Sequence, residues 1–172
     1  MSRRVEFADA LAALARAGVP FVVVGVGGIN FYAADPSDAV VTEDLDLLLK
    51  RDVASLRHAL EVLAGLDFAF EAGGEPLVDI DDVGALTQAV RAGACITARH
   101  ESGTTLDLML AGAGLSWPEI ASDAASFRIG STEIRVGRLE RLLRAKQLAG
   151  RPKDLEFLRM FAARFSDPDA DA

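Results

Sequence analysis

An apolar run at residues 21–24 leads directly into a glycine-rich segment at residues 25–28, and this junction constrains the fold more than any other part of the chain. Three consecutive valines favour an extended backbone, and the lack of a polar residue predicts a strand that is buried on both faces. Glycines after such a strand allow a sharp turn. We expect the turn to lead into a short helix over residues 29–34.

A second strand is predicted over residues 40–49, where acidic and apolar residues alternate. Asp44 and Asp46 are two residues apart, so both side chains leave one face while Leu45 and Leu47 face the core. Carboxylates this close repel each other unless a cation lies between them, and such oxygen ligands suit Mg²⁺ or Mn²⁺. A strand with one solvated face gives the same alternation, so the pattern alone leaves both interpretations open.

Asp107 is a lone acid in an otherwise apolar stretch, residues 105–110. Burying it is costly unless it faces solvent or meets a charge. If its strand lies beside the strand of Asp44 and Asp46, three carboxylates converge on one point.

The remaining patterns predict an α+β fold, in which helices flank a mixed β-sheet. Helices are expected over residues 6–17, 52–63, 83–91, 139–148 and 152–165, and another begins at Ser116. A strand is expected at residues 68–70, before a loop at residues 73–76. β-Hairpins are expected at residues 94–110 and 127–136. This pattern predicts an α+β core over residues 1–137 and C-terminal helices over residues 138–165 packed on it. A disordered acidic tail is expected over residues 166–172.

Composition excludes several classes of protein. The chain has 172 residues, 51% of them hydrophobic, which predicts one domain able to bury its own core. The single cysteine, Cys95, excludes a disulfide framework and a Cys-rich zinc site, and we expect it in the core. The longest apolar run, residues 19–26, is too short for a bilayer, and Glu6 and Asp9 interrupt any signal peptide. We therefore expect a cytoplasmic protein without a membrane partner.

A basic segment interrupts this acidic chain. From Arg135 to Lys153 there are seven basic residues and one acidic residue, a net charge of +6 in a chain whose total is −8. Such a segment favours contact with phosphate at one place, although solvated Arg-rich helix faces give the same pattern. Within it, Arg151 is spaced to pair with Asp154 across one helix turn.

Together these motifs resemble the nucleotidyltransferase superfamily of DNA polymerase β, and above all its small bacterial AbiEii and minimal nucleotidyltransferase-like members. The likeness is carried by the apolar strand with Gly27-Gly28, by Thr42-x-Asp44-x-Asp46, by Asp107, and by Lys146 followed by Gly150-Arg151-Pro152-Lys153-Asp154. It extends from Phe21 to about Leu158, without residues 68–93. Relatives commonly carry an Arg where this chain has Val40, and residues 35–38 are an insertion.

The resemblance implies a metal-dependent nucleotidyltransferase that moves a nucleoside monophosphate from an NTP, such as ATP, to a hydroxyl acceptor. The acceptor would be RNA or tRNA, a protein or a small molecule, and the setting a toxin–antitoxin or defence system with a cognate antitoxin or another partner protein. The implied catalytic residues, which are also the ligands of Mg²⁺ or Mn²⁺, are Asp44, Asp46 and Asp107. The implied nucleotide-binding residues are Gly27, Gly28, Thr42, Lys146 and Lys153.

Two other interpretations stay open. Val40 in place of an Arg favours a catalytically impaired module that binds a nucleotide or a partner on the same fold. A plain acidic interaction domain is the third, and an Asp107 remote from Asp44 would support it.

Overall fold

A computed structural model describes residues 5–165 of the chain. Within that range there are seven α-helices and one eight-stranded mixed sheet, so the predicted α+β class is confirmed. The expected acidic tail, residues 166–172, lies outside the described residues. None of the helices between residues 5 and 165 combines the length and the apolar character needed to cross a bilayer.

Helices and strands alternate irregularly along the chain. The helices are α1 (Phe7–Arg16), α2 (Gly25–Asn30), α3 (Val53–Ala64), α4 (Val83–Ala92), α5 (Trp117–Asp123), α6 (Leu139–Ala149) and α7 (Pro152–Phe165), with a 3₁₀ turn at Pro36–Asp38. The strands are β1 (Phe21–Val24), β2 (Asp44–Leu49), β3 (Ala69–Ala72), β4 (Glu75–Pro76), β5 (Cys95–Arg99), β6 (Thr105–Met109), β7 (Ala125–Ile129) and β8 (Thr132–Val136). Their order in the sheet is β4-β3-β5-β6-β2-β1-β8-β7.

The centre of the sheet combines antiparallel and parallel pairs. Strand β1 is antiparallel to β2 and parallel to β8, while β2 is parallel to β6. The two predicted hairpins are present as β5–β6 and β7–β8. Because side chains alternate along a strand, one face of β2 and β6 presents only leucines. These leucines share one buried cluster with side chains of α1 and α3: Leu45, Leu47, Leu106, Leu108, Leu11, Leu14, Leu56 and Leu60.

Helix ends follow the expected local chemistry. The Asp52 side chain accepts a hydrogen bond from the Ser55 backbone N–H at 2.7 Å, which caps α3 as its sequence predicts. Helix α6 ends at Gly150, whose φ of 62° is in the left-handed region that glycine adopts without strain.

Three local predictions are wrong. The helix expected over residues 29–34 instead occupies Gly25–Asn30, so the chain enters it directly from β1. Strand β2 begins at Asp44 rather than at residue 40, because the Asn30 side chain bonds both backbone groups of Val40 at 2.8 Å and holds it outside the sheet. Glu75–Pro76, expected within a loop, pairs with β3 as a two-residue strand.

The C-terminal helices pack against the rest of the molecule. Leu142 of α6 and Phe157 of α7 are buried in the same hydrophobic cluster as the central strands. Helix α6 contacts α2, which follows β1, and α7. This packing places the polar residues of α6 and α7 near the carboxyl end of β1.

Candidate active site

Sheet register brings the predicted carboxylates together. On the parallel strands β2 and β6, Asp46 is the direct partner of Asp107, and Asp44 is the partner of Thr105. Residues directly opposite share a face, so all three carboxylates leave the same side of the sheet. Asp107 therefore lies beside the Asp44–Asp46 strand, and the third interpretation lacks the support that a distant Asp107 would have given it.

Asp46 is the most electrostatically strained of the three. Its burial, followed by the charges of Asp107 and Asp44, raises the pKa of the Asp46 carboxyl to about 6, while Lys146 and Arg151 act in the opposite direction. In the described part of the chain no donor hydrogen-bonds to this carboxylate. Burial without a donor thus shifts the ionisation of Asp46 toward the protonated form, and a bound cation would oppose that shift.

Gly25 lets the Asp46 carboxylate approach the backbone closely. Its φ is +65°, and a Cβ at this position would lie 2.1 Å from Asp46 Oδ2. Both facts require a glycine. The sequence pointed to Gly27 and Gly28 instead, but the structure buries both inside α2.

Gly27 and Gly28 allow α2 to pack tightly. A Cβ on Gly27 would lie 2.3 Å from Leu45 Cδ1, and one on Gly28 would lie 3.0 Å from Leu142 Cδ1. Close helix packing therefore explains why these two positions are glycine. Their implied contact with a triphosphate stays a prediction.

A cavity of about 370 Å³ opens beside Asp46. Asp46, Gly25, Lys146, Arg151 and Asp154 line it. Apolar side chains complete the wall: Met109, Leu115 and Leu142. The cavity thus joins an acidic region, a basic region and an apolar surface.

Asp154 organises the basic side of the cavity. This carboxylate is only 1% exposed; its Oδ2 accepts a hydrogen bond from Arg151 Nε at 2.6 Å, and its Oδ1 accepts one from Lys146 Nζ at 3.3 Å. Burial tends to raise the pKa of Asp154, but the hydrogen bonds from Arg151 and Lys146 outweigh it and the pKa is lowered. Asp154 is therefore ionised and holds two cations at the cavity. The Arg151–Asp154 spacing indicated the pair but neither its burial nor the sharing with Lys146.

Three of the seven basic residues in this segment have another task. Arg135 Nη2 donates to Ala121 O at 2.9 Å, Arg138 Nε donates to Asp123 O at 2.7 Å, and Arg141 Nε donates to the Asp123 carboxylate at 2.9 Å. These contacts stabilise the C-terminal end of α5, where carbonyl groups lack helical partners. Among the seven basic residues from 135 to 153, Lys146 and Arg151 line the cavity.

Two predicted nucleotide-binding residues lie elsewhere. Lys153 is exposed on α7 and is not part of the cavity wall. The Thr42 hydroxyl donates to the backbone oxygen of Asp44 at 2.7 Å, so it stabilises the start of β2.

Sequence reasoning also missed residues around the carboxylates. Thr97 on β5 donates from Oγ1 to Asp107 Oδ1 at 2.8 Å. Cys95, expected in the core, is exposed on the same face of the sheet. Partial burial of the thiol, with the charges of Asp107 and Asp46, raises the pKa of Cys95 to about 12, so the thiol stays protonated near neutral pH and is a poor nucleophile.

The donor set suits a magnesium ion that also binds substrate. Among residues 5–165, no group of three or more His, Cys, Asp and Glu side chains is spaced to hold a metal ion. Mg²⁺ in proteins commonly takes one or two carboxylates, with phosphate oxygens and water completing its shell. Asp46 and Asp107 offer such a pair, and a cation bound there would oppose both the burial and the neighbouring negative charges that raise the pKa of Asp46.

Comparison of the chain with known proteins adds no family assignment. No protein-family model matches the sequence, and no curated protein matches it either.

Proposed function

We propose that this protein is a metal-dependent nucleotidyltransferase, built on a nucleotidyltransferase-like core, that transfers a nucleoside monophosphate from an NTP to a hydroxyl acceptor. The observation that carries the proposal is the direct pairing of Asp46 with Asp107 across two parallel strands, where Asp46 lines a cavity together with Lys146 and Arg151. Acidic and basic groups that line one cavity suit a substrate that brings both a cation and phosphates.

Each side of the cavity has a chemical task in this reaction. Asp46 and Asp107 would hold Mg²⁺ or Mn²⁺, with Asp44 at the exposed edge of the same face. The bound ion would neutralise phosphate charge and favour loss of the proton from the attacking hydroxyl. Asp107 would accept that proton. Lys146 and Arg151 would bind the phosphates and stabilise the charge that develops as pyrophosphate leaves.

The acceptor follows from the resemblance and not from the cavity. RNA or tRNA, a protein and a small molecule are the acceptor classes, and a toxin–antitoxin or defence role with a cognate partner protein is part of the proposal.

Transfer assays with labelled nucleotides test this proposal. The purified full chain is incubated with Mg²⁺, each of the four radiolabelled NTPs, and RNA, tRNA or protein acceptors. We expect the wild type to label one acceptor class and release pyrophosphate, while Asp46→Asn and Asp107→Asn lose at least about 100-fold in rate because charge stabilisation is lost. Asp123→Asn, an aspartate that binds Arg141 away from the cavity, is the matched control and should keep its rate.

Absence of transfer and of pyrophosphate with all four NTPs would exclude the enzyme. A nucleotide-binding module without turnover is then the second candidate, and Val40 in the position of an Arg favours it, as does the prior engagement of Lys146 and Arg151 by Asp154. Titration calorimetry separates the two, since this module binds NTP with Mg²⁺ tightly yet gives no product over hours.

A further inference from the structure

We propose that Thr97 is a positioning residue for Asp107 in the proposed reaction. The inference rests on the proposed function, and it concerns a residue that no motif of the sequence indicates. Thr97 belongs to β5, the strand on the far side of β6 from Asp46.

Register places Thr97 in one row with both carboxylates. Thr97 is the direct partner of Asp107 on the antiparallel pair β5–β6, and Asp107 is the direct partner of Asp46 on the parallel pair β2–β6. Direct partners share a face of the sheet. Asp107 therefore lies between a hydroxyl on one side and a second acid on the other.

A hydrogen bond orients Asp107 within that row. Thr97 Oγ1 donates to Asp107 Oδ1 at 2.8 Å, and in the part of the chain that the structure describes no other donor reaches the Asp107 carboxylate. Threonine is branched at Cβ, and its χ1 rotation in a strand is restricted, so the hydroxyl is held in place by the backbone. The bond occupies one carboxylate oxygen and leaves the other without a protein donor.

This orientation matters because Asp46 and Asp107 repel each other. Without the hydrogen bond from Thr97, the Asp107 carboxylate would be free to rotate out of its position beside Asp46. A cation site made from these two side chains would then have to restore their geometry each time an ion binds. Side chains that hydrogen-bond metal ligands in this way typically change metal affinity or activity by about 10–100-fold when they are removed.

Replacing Thr97 by valine, which has nearly the same shape but no hydroxyl, tests this proposal. We expect Thr97→Val to weaken binding of Mn²⁺ alone by about tenfold, measured by electron paramagnetic resonance. In the transfer assay, kcat should fall by about tenfold or more while KM for the NTP changes less than about twofold. Thr97→Ser keeps the donor and should stay within about threefold of the wild type in both measurements.

Two further variants serve as controls. Thr87→Val removes a hydroxyl that bonds only the Val83 backbone oxygen in α4, and it should leave both measurements unchanged. If Thr97→Val fails to fold, Thr97→Ala removes the same hydroxyl with less crowding.

The inference is overturned if the folded hydroxyl-deleted variant binds Mn²⁺ like the wild type, or if Thr97→Ser is as impaired as Thr97→Val. Failure of the proposed function looks different, since the wild type would then transfer no nucleotide, whatever residue 97 is. The Mn²⁺ measurement needs no turnover and therefore separates the two failures.

Discussion

Gly25, the first residue of α2, and Asp46 in β2 together form the acidic part of the cavity wall. Gly25 has a backbone conformation that other residues rarely adopt, and its missing side chain leaves the space that the Asp46 carboxylate occupies. The position of the carboxylate and the identity of residue 25 are therefore coupled.

Gly25→Ala should both destabilise the protein and displace Asp46. The positive φ alone costs about 1 kcal/mol, and the 2.1 Å approach to Asp46 Oδ2 adds a clash that moves the carboxylate. We expect a loss of more than about 2 kcal/mol in the free energy of unfolding, measured by urea denaturation, together with weaker Mn²⁺ binding.

Gly130→Ala is the matched control for this prediction. Gly130 has a φ of +59°, and a Cβ there would meet nothing within 4 Å. Its substitution should cost only the backbone penalty, about 1 kcal/mol, and leave Mn²⁺ binding intact. Equal effects of the two substitutions would show that Gly25 has no particular relation to Asp46.

The sequence predicted the carboxylates of this site but not the residues around them. Alternation along one strand was enough to place Asp44 and Asp46 on one face. Gly25 could not be distinguished from Gly27 and Gly28, because three glycines in four residues carry the same local signal. Thr97 had no signal at all, since its role depends on a neighbouring strand and on the register between the two.

At the scale of elements, the turn between α6 and α7 is organised by a buried charge. Asp154 is 1% exposed, and Lys146, whose side chain is 12% exposed, bonds it and lies 4.8 Å from the ring centre of Phe157. Removing one member of a buried ion pair is costly, because the other charge stays buried without a partner.

Asp154→Asn should destabilise the protein far more than a comparable surface change. We expect a loss of about 3 kcal/mol, near the low end for buried pairs because Arg151 can turn its exposed guanidinium to solvent. Asp123→Asn removes the partner of Arg141 in a pair whose side chains are 38% and 40% exposed, and it should cost less than about 1 kcal/mol. Urea denaturation at pH 7 measures both, and similar losses would contradict the role given to Asp154.

Local elements were largely predictable, and their exceptions have identifiable causes. Apolar periodicity with capping residues was enough for α3 and for α6, and turn residues were enough for both hairpins. The start of β2 was misplaced because the Asn30 side chain replaces strand pairing at Val40. No local pattern reveals a bond between residues ten positions apart.

For the whole molecule, strand order could not be read from the sequence. The α+β fold class followed from the predicted mixture of helices and strands. The parallel pairing of β2 with β6, however, joins strands that lie far apart along the chain. The convergence of three carboxylates could therefore be stated only as a condition. The sheet order puts all three on one face, but no group of three among residues 5–165 is spaced to hold a metal ion.

Stability of the whole molecule should depend on the ionisation of Asp46. Because the folded pKa of about 6 exceeds the ordinary 3.8, the folded state holds this proton more tightly than the unfolded state. The free energy of unfolding should therefore fall as pH rises from about 4 to about 6, by up to about 3 kcal/mol. Asp46→Asn should remove this fall, so that the variant is more stable than the wild type at pH 8.

Urea denaturation at pH 4, 6 and 8 measures this difference. The two proteins should converge in their pH dependence below pH 4, where Asp46 is protonated in both states. Saturating Mg²⁺ at pH 8 should stabilise the wild type more than Asp46→Asn, since the variant lacks one of the two carboxylates proposed to hold the ion. A constant difference at all three pH values would contradict the role given to burial and to Asp107.

The pairing of β1 with β8 sets an order for the folding of this chain. Strand β1 lies inside the sheet, yet one of its two neighbours is contributed by residues more than a hundred positions later, as the pairing of Val23 with Val136 shows. During synthesis, the edge of β1 that later receives β8 stays open until that late hairpin has left the ribosome. Such long-range closure is slow, and an apolar strand with an unpaired edge can pair with another nascent chain. The yield of folded protein therefore depends on whether β8 pairs with β1 before the open edge of β1 pairs with another chain.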